Sequence, residues 1–138
     1  MEIYVINGPN LNLTGKRELE IYGALSFEVM LERWKQMFPA LNLVYRQSNV
    51  EGELINFLHE VPKGAKGIVL NPGGYSHTSV AIADAIRSIE VKVVEVHMSN
   101  IASRESFRQH SITGVAAMGM ISGFGMKSYE LAIRLLME

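Results

Sequence analysis

A glutamate and a histidine two residues apart, Glu95 and His97, stand at the end of an otherwise mostly apolar run, Val91-Lys-Val-Val-Glu-Val96. Residues two apart on a strand share a face, so the carboxylate could orient the imidazole and decide which ring nitrogen carries the proton. A histidine so placed is either structural or catalytic; a polar pair ending a buried strand costs free energy unless something uses it. Met98, Ser99 and Asn100 come next, and then Arg104 and Arg108. Four apart on a helix, the two arginines could clamp a carboxylate or a hydroxyl, or equally be solvated charge. A second polar group is Asn71-Pro-Gly-Gly74-Tyr-Ser-His77-Thr-Ser79. Adjacent glycines ahead of a helix let backbone N–H groups approach an anion, although the same glycines could simply form a tight turn before a capping Ser79. The third group runs Asn7-Gly-Pro-Asn10-Leu-Asn12 and on through Arg17 to Tyr22 and Gly23. Its asparagines, arginine and tyrosine suit a lid that orders over a polar ligand; a solvated loop with Tyr22 packed at its root is the plainer alternative.

These groups need a scaffold, and the periodicity supplies one. Ile3–Ile6 reads as a strand, and Ser26 as the N-cap of a helix over 27–37 with Val29, Met30, Trp34, Met37 and Phe38 at helical spacing. Pro39 stops that helix. A strand over 41–46, a helix over 50–61 and a strand over 67–71 come after it. A helix spans 79–89, a strand 91–96, a short helix 104–110, a strand 115–121 and a last helix 127–137. The third and fourth strands are nearly continuous apolar runs, as expected when both sheet faces are covered. Strands alternating with helices imply right-handed crossovers and a parallel sheet. The expectation is a single α/β domain over 1–138, a flavodoxin-like three-layer sandwich with a five-stranded parallel sheet. Ligands of such sheets bind beyond the carboxyl ends of the strands, where all three polar groups lie. The connection after the first strand far exceeds the usual ~2–6 residues, which marks about 8–23 as a functional lid or a disordered loop.

Composition removes several classes of function. The 138 residues include no cysteine, so disulfides, iron–sulfur clusters and a cysteine nucleophile are excluded. Thirteen Lys+Arg against fourteen Asp+Glu give a net charge of −1, without the basic surplus of a nucleic-acid binder. No run has the ~18 strongly apolar residues of a membrane helix, and the first residues do not form a signal peptide. A cytoplasmic protein is the expectation, which leaves the sequon at Asn12-Leu-Thr14 idle. Gly123-Phe-Gly125 lacks the third glycine of a dinucleotide fingerprint. The four histidines are too scattered for a metal motif, with only Glu95/His97 at ligand-like spacing. Asn7 and Asn71 stand where a phosphoacceptor domain would need acids. The first loop offers amides where a flavin carrier needs hydroxyls, and a serine hydrolase would need a G-x-S-x-G elbow.

Taken in order, Asn7-Gly-Pro-Asn-Leu-Asn-Leu, Arg17-Glu, Ile-Tyr22-Gly, Arg46-Gln-Ser-Asn, Asn71 to Ser79, Glu95-Val-His97-Met-Ser-Asn and Gly123-Phe-Gly125 closely resemble the type II 3-dehydroquinate dehydratases over essentially the whole chain. The resemblance implies a flavodoxin-like subunit assembled as a dodecamer, a tetramer of trimers. It implies a cofactor-free, metal-free dehydration of 3-dehydroquinate to 3-dehydroshikimate, an anti elimination through an enolate in the shikimate pathway. By the same resemblance Tyr22 is the base and Arg17 the cation that favours its phenolate. Asn10 stabilises the enolate, and His97, oriented by Glu95, protonates the departing hydroxyl. Met98 and Ser99 would cradle the substrate carboxylate, while Asn71, His77 and Arg108 would contact its hydroxyls. Gly74 would keep the floor open, and Asp84 would reach a neighbouring subunit's site. Leu19, where many members carry proline, the Ser111-Ile-Thr-Gly114 segment and the C-terminus depart from the pattern, and none of the three is expected to touch a catalytic position.

Overall fold

The computed structural model describes residues 1–14 and 26–138. Its five strands are β1 (Glu2–Asn7), β2 (Asn42–Gln47), β3 (Gly67–Asn71), β4 (Val93–His97) and β5 (Gly119–Ser122). They form one sheet in the order β2-β1-β3-β4-β5, with every pair parallel. Among the described residues four α-helices accompany them: α1 (Phe27–Met37), α2 (Glu51–Glu60), α3 (Val80–Ser88) and α4 (Lys127–Met137). This is the flavodoxin-like α/β class that the alternating elements predicted. Strand order reverses direction between β1 and β3, so the crevice above those strand ends is the natural ligand site.

Alternation along each strand divides the core in two. Ile3 and Val5 of β1, Val69 of β3 and Val94 and Val96 of β4 pack with Phe27, Leu31 and Trp34 of α1 and Tyr129, Ala132 and Ile133 of α4. Ile6, Ile68, Leu70 and Val93 meet Leu54 and Leu58 of α2 and Ile82, Ala85 and Ile86 of α3 on the other face. Three layers result. Phe27, Trp34 and Tyr129 form an aromatic knot with centroids 4.8–5.8 Å apart; truncating Trp34 to alanine would cost about 3–5 kcal/mol. Caps fall where the hydroxyls predicted them: Ser26 Oγ accepts from Val29 N at 3.3 Å and Ser79 Oγ from Ile82 N at 2.9 Å.

Three expectations need correction. The buried stripe of α1 is Phe27, Leu31 and Trp34, continued by Phe38, whereas Val29 and Met37 are exposed. The expected helix over 104–110 is two 3₁₀ turns, Ile101–Ser103 and Ser106–Arg108, separated by an extended Arg104 (φ −90°, ψ −175°). Side-chain bonds that mimic backbone turns capture the first of them: Asn100 Oδ1 accepts from Ala102 N, and Ser103 Oγ donates to the Asn100 carbonyl. The fifth strand starts at Gly119 rather than 115, because residues 113–117 form successive turns, with Ala116 N on the Thr113 carbonyl and Ala117 N on that of Gly114.

Candidate active site

The carboxyl ends of β1, β3 and β4 open on a pocket of roughly 200 Å³. Its near wall belongs to the segment after β1. Asn10 there has φ +70°, the only positive φ of a non-glycine residue among those described, and its N–H donates to Asn49 Oδ1 at 3.0 Å. Asparagine tolerates this left-handed conformation better than most residues. The loops after β1 and β3 touch backbone to backbone. Gly8 N donates to the Asn71 carbonyl at 2.7 Å, and a Cβ on Gly8 would lie 2.5 Å from the Pro72 oxygen. Gly73 adopts φ +61° beside Pro9, and a Cβ at Gly74 would meet nothing, so Gly74 leaves the pocket floor open.

Under this floor Asn7 and Asn71 sit side by side in the β1–β3 register. Tyr129 Oη donates to Asn7 Oδ1 at 2.8 Å and accepts from Asn71 Nδ2 at 2.7 Å, while Asn7 Nδ2 donates to Tyr45 Oη at 3.2 Å. Asn71 Oδ1 accepts from Gly73 N at 3.1 Å. Asn71 therefore lines the pocket with both amide heavy atoms already engaged in holding it. Burial raises the Tyr45 phenol above its ordinary pKa; the bond from Asn7 opposes this and the Glu28 carboxylate adds to it.

The far wall is formed by β4 and the segment after it. Glu95 is fully buried and His97 nearly so, with His97 Nε2 donating to Glu95 Oε2 at 2.8 Å. That bond leaves Nδ1 as the ring nitrogen available for chemistry. Two hydroxyls complete the carboxylate: Ser111 Oγ donates to Oε2 and Thr113 Oγ1 to Oε1. The second pocket imidazole, His77, stacks with the His97 ring at 6.2 Å between centroids. Its Nδ1 donates to the His110 carbonyl at 2.8 Å, which fixes its tautomer because a carbonyl can only accept. Arg104 Nη1 donates to Ser99 Oγ at 3.2 Å, and Arg108 Nε donates to Glu105 Oε2 at 2.8 Å. A hydrogen bond from its own backbone, followed by Arg108, keeps the Glu105 carboxyl below the usual carboxylate range.

Of the residues singled out by sequence, Asn10, Asn71, Gly74, His77, His97, Met98, Ser99 and Arg108 line this one pocket, and Glu95 lies directly behind His97. Asp84 is not among its lining residues; its side chain is 70% exposed on α3, 3.7 Å from Arg87. Arg17 and Tyr22 lie outside the described residues. Sequence reasoning offers Arg104 as a possible clamp without assigning it a role, yet it lines the pocket and reaches Ser99. It also sets Ser111-Ile-Thr-Gly114 apart from the catalytic positions, whereas both hydroxyls of that segment bind Glu95. Nothing local could have shown this, because the partners are 16 and 18 residues apart. Among the described residues no cluster of three His, Asp or Glu could hold a metal ion, and no helix is long and apolar enough to cross a membrane.

The family model described as Dehydroquinase class II matches residues 1–137. The chain belongs to the class II dehydroquinases. A 3-dehydroquinate dehydratase of Clostridium perfringens is 50% identical over 139 aligned positions, covering 99% of this chain and 95% of that protein. One of Caulobacter vibrioides is 47% identical over 133, covering 95% and 91%. The crystal structure of the type II dehydroquinase from Butyrivibrio crossotus superposes with a TM-score of 0.94 at 42% identity, covering 100% of this chain and 98% of that one. The resemblance read from the motifs is thus borne out over the length of the chain. A class II dehydroquinase carries its polar groups at the strand ends that the sheet topology marks out.

Proposed function

We propose that this chain dehydrates 3-dehydroquinate to 3-dehydroshikimate by anti elimination through an enolate, serving the shikimate pathway without a cofactor or metal. The observation that carries the reading is the buried Glu95–His97 pair at the mouth of β4, facing a pocket that also holds Arg104 and Arg108. The named activity of the Clostridium and Caulobacter relatives supports it.

Loss of a proton from the carbon next to the ketone leaves an electron pair that moves onto the carbonyl oxygen. A base and an electrophilic partner for that oxygen are therefore required. Tyr22 is the proposed base. A phenol near pKa 10 needs a cation to act at neutral pH, and Arg17 is assigned that part. Asn10 is assigned the stabilisation of the enolate oxygen. When the carbonyl re-forms, the bond to the β-hydroxyl breaks and His97 Nδ1 gives that oxygen a proton, so it leaves as water. The imidazolium is held meanwhile by the Glu95 carboxylate. Ser99 and the backbone at Met98 would receive the substrate carboxylate, with His77, Asn71 and Arg108 fixing the ring hydroxyls over Gly74. The proposal includes a cytoplasmic dodecamer of single-domain subunits, a lid at about 8–23 and an Asp84 that reaches a neighbour's site.

The test monitors the ultraviolet absorbance of the conjugated enone formed from 3-dehydroquinate. Wild-type protein should produce it, and EDTA should leave the rate unchanged. Tyr22→Phe should abolish turnover while a substrate analogue still binds, because the ring remains and only its oxygen is lost. Protein that leaves 3-dehydroquinate untouched, or a Phe variant keeping more than a few per cent of kcat, would sink the corresponding part of the reading.

A further inference from the structure

We propose that Ser111 and Thr113 are positioning residues for proton delivery: their hydroxyls lock the Glu95 carboxylate in the one orientation that aims His97 at the pocket. The inference rests on His97 being the general acid.

Three donors converge on one fully buried carboxylate: His97 Nε2, Ser111 Oγ and Thr113 Oγ1. The two hydroxyls divide the work, Ser111 on the oxygen shared with His97 and Thr113 on the other. A carboxylate held by His97 alone could rotate about its last torsion, and the imidazole would swing with it. Held at both oxygens, it cannot. The hydroxyls are themselves fixed. Gly114 N donates to Ser111 Oγ at 2.8 Å, so the serine accepts there and gives its own proton to the bond with Glu95. Thr113 is fully buried, and its proton is likewise committed to Glu95. The 3.2 Å approach of the two hydroxyls to each other is therefore close packing with no proton left to share.

The segment carrying these hydroxyls also holds the other imidazole. The His110 carbonyl binds His77 Nδ1, and Ile112 N donates to the Ser76 carbonyl at 2.7 Å. One short strap thus ties the loop after β3 to the dyad of β4, so that both rings of the pocket take their orientation from residues 110–113. A hydroxyl lost from the strap should be felt in the chemical step and not in substrate binding, because neither Ser111 nor Thr113 lines the pocket.

The experiment compares Thr113→Val, Thr113→Ser, Ser111→Ala and His97→Ala with wild type by steady-state kinetics on 3-dehydroquinate, with thermal melts as a folding check. Thr113→Val is nearly isosteric and removes only the donor. It should lower kcat by roughly 10-fold with KM within about twofold, by analogy with the outer-shell partners that orient metal-bound histidines. Thr113→Ser keeps the donor and should recover most of that loss. Ser111→Ala should behave like Thr113→Val; being only half-buried, it carries the test if the valine variant does not fold. Wild-type kcat in both hydroxyl deletions, a loss confined to KM, or a Thr113→Ser variant as slow as Thr113→Val would overturn the proposal. A fully active His97→Ala would instead overturn the acid assignment itself, which separates the two failures.

Discussion

Two buried polar networks occupy the carboxyl edge of the same sheet on opposite faces. On the α1/α4 side Asn7, Asn71, Tyr45 and Tyr129 exchange hydrogen bonds among neutral groups. On the α2/α3 side Glu95, His97, Ser111 and Thr113 surround a carboxylate. Strand alternation places them: Asn7 and Asn71 share a face with Val5 and Val69, and Glu95 with Val93. The neutral network has matched donors and acceptors and ties four elements under the pocket floor. The charged one is tolerated only because both carboxylate oxygens find donors in the interior, and it alone can move a proton. The difference teaches that burial of polar groups at a site serves two ends, holding a shape and performing a reaction, which substitutions should separate.

Between the two networks, the largest expected effect is at His97. His97→Ala should lower kcat by ~10²-fold or more, the usual scale for a general acid, in protein that still folds. If instead stability fell and kcat held, the charged network would be scaffold and the contrast would collapse. Tyr129→Phe should do the converse. It leaves Asn7 Oδ1 and Asn71 Nδ2 without the phenol, both buried, at about 1–3 kcal/mol of stability by urea denaturation. Its kcat should stay within severalfold of wild type where the variant remains folded. A loss on the His97→Ala scale would mean that the floor takes part in the chemistry.

How much of this was legible depends on the range of the interactions. Ser26 and Ser79 announce helix starts because a cap bonds three residues ahead, within any sequence window. The apolar runs of β3 and β4 announce buried parallel strands, and Glu-x-His announces the dyad because both residues lie on one strand. The 104–110 segment misleads because the Gln109 side chain takes the Arg104 carbonyl that a helix would have offered to Arg108 N, whose bond goes to the Glu105 carbonyl instead. The stripe of α1 reads one step off, since Val29 and Met37 are apolar yet face outward. Ser111 and Thr113 look like ordinary loop residues, as their partner is set by the fold.

Tyr45 allows the neutral network to be probed by pH. Its phenol pKa is raised by burial, so the folded state resists ionisation that the unfolded chain permits from about pH 10 upward. The stability this residue contributes is whole below that pH and is lost as pH rises from there through the higher folded-state pKa. Tyr45→Phe keeps the stacking on Phe27 at 5.5 Å and gives up only the 3.2 Å bond from Asn7, about 1 kcal/mol or less at neutral pH. Part of the alkaline fall in stability should disappear in that variant. An unchanged alkaline limb would show that Tyr45 does not titrate with unfolding.

The smallest effect belongs to a charged cluster away from the pocket, which tests whether charge alone distinguishes the two networks. Glu130 on α4 is nearly buried, but its partners Lys127 (2.9 Å) and Arg134 (3.1 Å) are 60% and 54% exposed. The bond from Lys127 holds the Glu130 carboxyl below the usual range against the opposing cost of burial, with Arg134 adding to it. A folded-state pKa below the unfolded one gives stability that is complete above the unfolded value near 4.3. It is lost as pH falls through the folded one. Because water reaches both cations, the pairs should be worth only about 0.2–1 kcal/mol and should weaken in salt. Glu130→Gln should therefore cost a few tenths of a kcal/mol at pH 7 by urea denaturation, with the difference shrinking as pH falls below the unfolded value or in 1 M NaCl, and kcat unchanged. A loss that persisted in high salt would mean that Glu130 matters through packing under α4. A loss of kcat would mean that charge anywhere along this edge reaches the pocket, and the separation of the two networks by face would fail.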